Sequence, residues 1–176
     1  MALVALLRGV NVGGHRTFRP SVLARELGHL GAVNVGAAGT FVIRRPVSIT
    51  RLRSEISARL PFDAEIMICQ GRDVIGLSSR DFFTGFEARP DLVRFVSVLA
   101  RTPRSAPAMP ISLPSTGEWM VRLLARDSRF VVGMYRRKMK VLGHLAALDR
   151  IFGVPVTTRN WATIIKVAGV LEDGAV

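Results

Sequence analysis

Cysteine is almost absent from this chain: Cys69 is the only one in 176 residues, so no internal disulfide can form. It lies in the apolar segment Glu65-Ile66-Met67-Ile68-Cys69-Gln70, with no cationic neighbour before Arg72, and reads as a buried structural thiol. One cysteine is compatible with a reducing cytoplasm, the expected location. Histidine is equally scarce. His15, His29 and His144 lie far apart, without carboxylate or cysteine partners at metal-ligand spacing, so no metal and no cofactor are expected. There is no Gly-x-Ser-x-Gly nucleophile elbow. No apolar run reaches about eighteen residues, which excludes a membrane-spanning helix. Met1–Leu7 is apolar with no basic region before it, so a secretory leader is not expected.

Acidic residues are also few, 13 against 25 Lys and Arg, which gives a net charge of +12. Only three of the basic residues are lysines, Lys138, Lys140 and Lys166. The charge is uneven: residues 1–60 carry nine basic and two acidic side chains, residues 61–115 six of each, and residues 116–176 ten and five. Two basic ends around a neutral middle favour an acidic partner if the ends meet. An arginine-rich, lysine-poor composition is equally what a GC-rich genome produces.

What the chain does contain is a glycine-rich stretch, Arg8-Gly9-Val10-Asn11-Val12-Gly13-Gly14-His15-Arg16, directly after the apolar run Ala2–Leu7. This reads as a buried strand ending in a loop whose N–H groups can turn toward an anion. Pro20 then opens a helix with Val22, Leu23, Leu27 and Leu30 on one face, stopped by Gly31. Ala32–Ala37 and Thr40–Arg44 read as strands. A second helix follows with Ser48 as N-cap and Ile49, Leu52, Ile56 and Leu60 buried, and Glu65–Gln70 is a fourth strand. Strand, helix, strand, strand, helix, strand is the ferredoxin-like order.

The second half is less regular. A short helix is expected within Gly71–Gly85, a strand at Val93–Leu99, and a loop at Thr102–Pro114, which has four prolines in thirteen residues. Glu118–Arg126 and Arg129–Met134 form a hairpin around Asp127-Ser128. Lys138–Phe152 is mostly helix, Val154–Thr157 a brief extended piece, and Arg159–Leu171 a final helix. The predicted fold is α+β: a two-layer sandwich of antiparallel sheet and helices in two ferredoxin-like halves, 1–90 and 91–176, the second degenerate.

Ala5-Leu6-Leu7-Arg8-Gly9-Val10-Asn11-Val12-Gly13-Gly14 at one end, and Thr157-Thr158-Arg159-Asn160-Trp161 with Thr163 and Lys166 at the other, form a distinctive pair of motifs. With Lys140 leading a helix to Gly153, the chain resembles the bacterial domain-of-unknown-function family numbered sixteen ninety-seven along essentially its full length. The resemblance implies a cytoplasmic α+β protein of ferredoxin-like character and names no reaction. Family members usually carry Ser-Gly-Asn where this chain has Ala38-Gly39-Thr40, a polar residue at Ala162, glutamate at Asp149 and a basic residue at His15.

The expected function is binding of an anionic, phosphate-bearing ligand at the 8–16 loop. Arg8 and Arg16 would supply charge, Gly9, Gly13 and Gly14 close backbone approach, and Asn11 orientation, with His15 beside them. Lys140, Arg159, Asn160 and Trp161 are the candidate contributors from the other end, where Asn160 would cap the last helix and the indole edge hold a ligand. A tight crossover in which Asn11 merely caps a turn stands beside that reading. Gly9-x-x-x-x-Gly14-His15-Arg16 is a near miss to a P-loop, which needs lysine and then serine or threonine at the last two places.

Three further functions remain open. One is weak, sequence-independent nucleic-acid binding through Arg44, Arg45, Arg136, Arg137, Lys138 and Lys140, steeply salt-dependent. Another is an enzyme on a phosphorylated substrate with His15 as acid or base. The last is an oligomerising scaffold without a ligand.

Overall fold

The computed structural model describes residues 1–174. The chain divides into two units. Met1–Arg80 together with the segment from Thr163 onward forms the first, and Asp81–Ala162 the second. The sequence-based boundary at 90/91 therefore falls ten residues inside the second unit, and the closing helix returns to the first.

In the first unit, β1 (Leu3–Leu7) is buried along its whole length, as an uninterrupted apolar run requires. It lies between β3 (Thr40–Ile43) and β4 (Ile66–Gln70), with β2 (Ala32–Asn34) outside β3. Every pairing is antiparallel, and the order β2-β3-β1-β4 is the ferredoxin-like one. Ala5 sits between Phe41 and Ile68. On that face they join Leu23 of α1 (Pro20–Glu26) and Leu52 and Ile56 of α2 (Ile49–Ser57) in one core.

Local chemistry sets the helix ends. Pro20 is at the start of α1, and a 3₁₀ turn over Gly28–Leu30 brings Leu30 into the core. The Ser48 hydroxyl accepts the Arg51 amide at 3.1 Å, the expected N-cap bond. Ile49 departs from expectation: at the first helical position it is 42% exposed. Helix α3 (Gly71–Ser78) follows β4 directly.

The second unit holds β5 (Leu92–Leu99), β6 (Ile111–Leu113), β7 (Val121–Asp127), β8 (Phe130–Arg136) and β9 (Val156–Asn160) in the order β6-β7-β8-β5-β9. Removing edge strand β6 leaves β7-β8-β5-β9, which repeats the first sheet with β5 in the place of β1. Helices α4 (Val141–Ala146) and α5 (Leu148–Phe152) lie between β8 and β9 in sequence, and Val141, Leu148 and Phe152 pack with Phe95, Leu99 and Leu123. Where the first unit has α1, the second has the proline-rich segment ending in β6. Prolines there cannot sustain helical hydrogen bonding, and this is what makes the repeat degenerate.

Two sequence expectations need correction. The helix expected over Lys138–Phe152 starts at Val141 and is broken at Ala147. The final helix begins at Trp161, not Arg159: α6 spans Trp161–Asp173, and Arg159 and Asn160 close β9. The β-branched pair Thr157-Thr158 extends the strand, with Thr158 opposite Ser97 and the two hydroxyls 2.6 Å apart. Helix α6 is tied into the first unit by its buried Val167, Ala168 and Leu171, and by the Arg44 guanidinium donating to the Val170 carbonyl at 3.1 Å.

Candidate functional site

The glycine-rich stretch leaves β1 as a small hairpin. The Asn11 amide donates to the Arg16 carbonyl at 3.2 Å, and the His15 amide donates to the Val12 carbonyl at 3.0 Å. Val12 and His15 face each other in an antiparallel bridge. The tip is Gly13-Gly14 at φ +57° and +75°, the two positive values that a type I′ turn demands. Asn11, itself at φ +53°, clamps the base: its Oδ1 accepts the Phe18 amide at 2.9 Å, and its Nδ2 donates to the Ala37 carbonyl at 3.0 Å.

Arg8 is drawn to Glu65, with Nη1 3.4 Å from the carboxylate and its amide on the Glu65 carbonyl at 2.9 Å. What points outward is therefore the tip. Gly13, Gly14, His15 and Arg16 are exposed, and among the described residues the Gly13 and Gly14 amides have no protein acceptor. No carboxylate or hydroxyl engages the His15 imidazole among the described residues.

Replacing Asn11 tests this clamp. Asn11→Ala loses an acceptor and a donor and leaves at positive φ a residue without the local side-chain hydrogen bonds that let asparagine tolerate it, so it should lower unfolding free energy by about 1–3 kcal/mol in urea melts. Asn11→Gly should recover only the backbone share of that loss. An alanine variant as stable as the parent would mean that the hairpin holds without the clamp.

In the second unit, Arg159, Asn160 and Trp161 have three different surroundings. Arg159 is 7% exposed, and its Nη1 donates to the Thr157 hydroxyl at 2.8 Å and the Thr158 carbonyl at 2.9 Å. Burial pushes this guanidinium down to about 10. It does not line the cleft described below. The Asn160 side chain is exposed and makes no hydrogen bond among the described residues, so it does not cap α6 as expected. Trp161 is half-buried, with the ring centres of Phe83 and Phe82 5.2 and 6.1 Å from its own, each pair in a T-shaped arrangement. Lys140, exposed just before α4, is not among the cleft residues.

Asn160 and Trp161 open onto a cleft of about 310 Å³. Its apolar part comes from Leu92, Val93 and Met134, and its cationic part from Arg89, Arg94 and Arg137. Arg89 is already satisfied by a bidentate pair with Asp91, at 2.9 and 2.7 Å. The other two are held by main-chain carbonyls. Arg94 Nη2 donates to Phe86 at 2.8 Å while its guanidinium lies 4.7 Å from the Phe83 ring centre. Arg137 Nε donates to Pro90 at 2.9 Å. One bond fixes each guanidinium and leaves other N–H groups of both unclaimed among the described residues. The same two bonds anchor residues 86–90, which bring Glu87 and Ala88 to the cleft wall.

Sequence reasoning named Asn160 and Trp161 here but missed Arg94. The available signal was the one charged residue inside the largely apolar strand Leu92–Leu99. Arg137 entered only as a surface cation.

The aromatic support of Trp161 is set by Asp81. The Thr84 hydroxyl and the Phe83 amide both donate to its carboxylate, and these bonds hold the carboxyl below its ordinary value of 3.8. A depressed folded-state pKa contributes stability above the unfolded-state value and loses it as pH falls through the folded one. Asp81→Asn retains an acceptor for the Phe83 amide without the charge. Its thermal midpoint should therefore fall less steeply than the parent's between about pH 5 and pH 2, as read by circular dichroism. Identical acid limbs would remove Asp81 from that dependence.

No protein-family model and no curated protein matches the chain. Among solved structures it is similar to the conserved bacterial protein SP0830 from Streptococcus pneumoniae. The TM-score is 0.59 at 16% identity, covering 97% of this chain and 98% of that one. The likeness is one of fold.

Proposed function

We propose that this protein binds a phosphate-bearing small molecule in the cleft beside Trp161. The observation that carries the reading is the pair Arg94 and Arg137, each fixed by a single bond to a carbonyl and each retaining unclaimed N–H donors at the same cleft. Preorganised guanidinium groups of this kind suit a bidentate oxyanion. The hairpin tip is the second candidate, supported by the exposed amides of Gly13 and Gly14 beside His15 and Arg16. It is the weaker of the two because Arg8 and Asn11 are engaged elsewhere.

The expected nucleic-acid surface fares less well as a site. Part of its charge is met by carboxylates: Arg136 lies 3.6 Å from both Asp91 and Glu118, and Lys138 reaches Glu118 at 3.1 Å. The opening and closing motifs remain the support for placing the chain with the bacterial family that it resembles.

Calorimetric titration with pyrophosphate and small phosphate esters tests the proposal. Arg137→Ala should weaken binding about tenfold or more, since a charge-assisted hydrogen bond contributes about 1.5–3 kcal/mol. Undiminished binding by this variant would remove the cleft. Loss of binding on Arg16→Ala instead would move the site to the hairpin.

A further inference from the structure

The cleft is more than an oxyanion cradle. A site for a bare phosphate needs no apolar floor, yet Leu92, Val93 and Met134 supply one, and the volume of about 310 Å³ is at the lower end of the range for organic ligands. One wall is an indole, held in place by T-shaped contacts with Phe83 and Phe82. Asn160, with both its donor and its acceptor unengaged among the described residues, sits next to that indole in the chain and lines the same cleft. Glu87 is the one carboxylate in the lining and offers acceptors only. A flat ring with hydrogen-bonding edges satisfies all of these groups together: it stacks on Trp161, pairs its edge with Asn160, and donates an amino group to Glu87.

We infer that the ligand of this cleft is a nucleotide of mononucleotide size, its base on Trp161 with Asn160 and Glu87 reading the edge, and its phosphate on Arg137 and Arg94. This rests on the anion-binding reading above and adds the base to it. The two fail in different ways.

The chain has two tryptophans, so Trp119→Phe leaves Trp161 as the only indole reporter. Trp119 stacks on the Arg136 guanidinium at 4.4 Å, and phenylalanine keeps a ring there. In this variant the four common nucleoside monophosphates are titrated against Trp161 fluorescence, with ribose 5-phosphate and inorganic phosphate followed by calorimetry. The expected result is quenching by at least one nucleotide, with ribose 5-phosphate bound about tenfold or more weakly.

Equal affinity for ribose 5-phosphate and the nucleotides would overturn the base contact and leave the anion site standing. No binding of any of these compounds would overturn both. Ala162→Glu supplies an independent check at an exposed cleft position that the fold does not depend on. It should abolish nucleotide binding with an unchanged circular dichroism spectrum, and unaltered quenching in it would place the nucleotide elsewhere.

Discussion

Gly133→Val is expected to leave the second unit unfolded. Residue 133 lies on β8 opposite Phe95, and Phe95 is completely buried. A β-carbon added there would stand 2.5 Å from the Arg122 carbonyl oxygen and 2.9 Å from the Phe95 Cζ. The ring can tilt. The carbonyl belongs to β7, paired with β8 along most of its length, and cannot retreat without opening the sheet. Overpacking ordinarily costs about 1–3 kcal/mol, and a backbone obstruction at a central strand should exceed that range.

The smaller Gly133→Ala should already lower the urea midpoint markedly. Combining it with Phe95→Leu should not restore it, because the carbonyl remains in the way. An alanine variant with the parent's midpoint would show that the ladder yields and that the close approach is incidental.

The second large effect is in the first unit. Phe41 is fully buried and faces Ala5 across the β1–β3 pair, so its ring fills the space that the alanine leaves. Phe41→Ala removes the ring and opens a void that neighbouring β-strands cannot collapse into, and should cost about 3–5 kcal/mol. For a domain whose whole stability is about 5–15 kcal/mol, much of the margin is gone. Phe41→Leu, which keeps most of the apolar volume, should cost clearly less in the same denaturant melts. Equal losses for the two variants would point to an aromatic contact rather than to filled volume.

Both sheets thus set a phenylalanine on one central strand against a small residue on its partner: Phe41 against Ala5, and Phe95 against Gly133. Neither pairing was legible in the sequence, because register across strands separated by a helix or a long loop leaves no local trace. The first unit was otherwise readable, since Ala2–Leu7, Pro20, Ser48 and the two apolar stripes are strong local signals. The second unit was less so. Its edge strand Ile111–Leu113 is three residues long and lies between prolines. Thr157–Asn160 carries too little apolar alternation to be told from a helix start, which is why Arg159 was expected at a helix N-terminus. The cleft beside Trp161 was half visible. Asn160 and Trp161 are adjacent in the chain, whereas Arg94 and Arg137 reach them only through the pairing of β5 with β8 and β9.

The carbonyl tethers of Arg94 and Arg137 belong to a wider habit. Arg44, Arg45, Arg129 and Arg136 also end on main-chain oxygens. A peptide oxygen carries no formal charge to be titrated away and is little affected by mobile ions, so these anchors persist across acidity and ionic strength where carboxylate pairs fade. The abundance of guanidinium groups then acts as a set of directional clips for loops. Lysine, a single ammonium on a flexible stem, has no planar group to hold a donor in a fixed direction while others stay available.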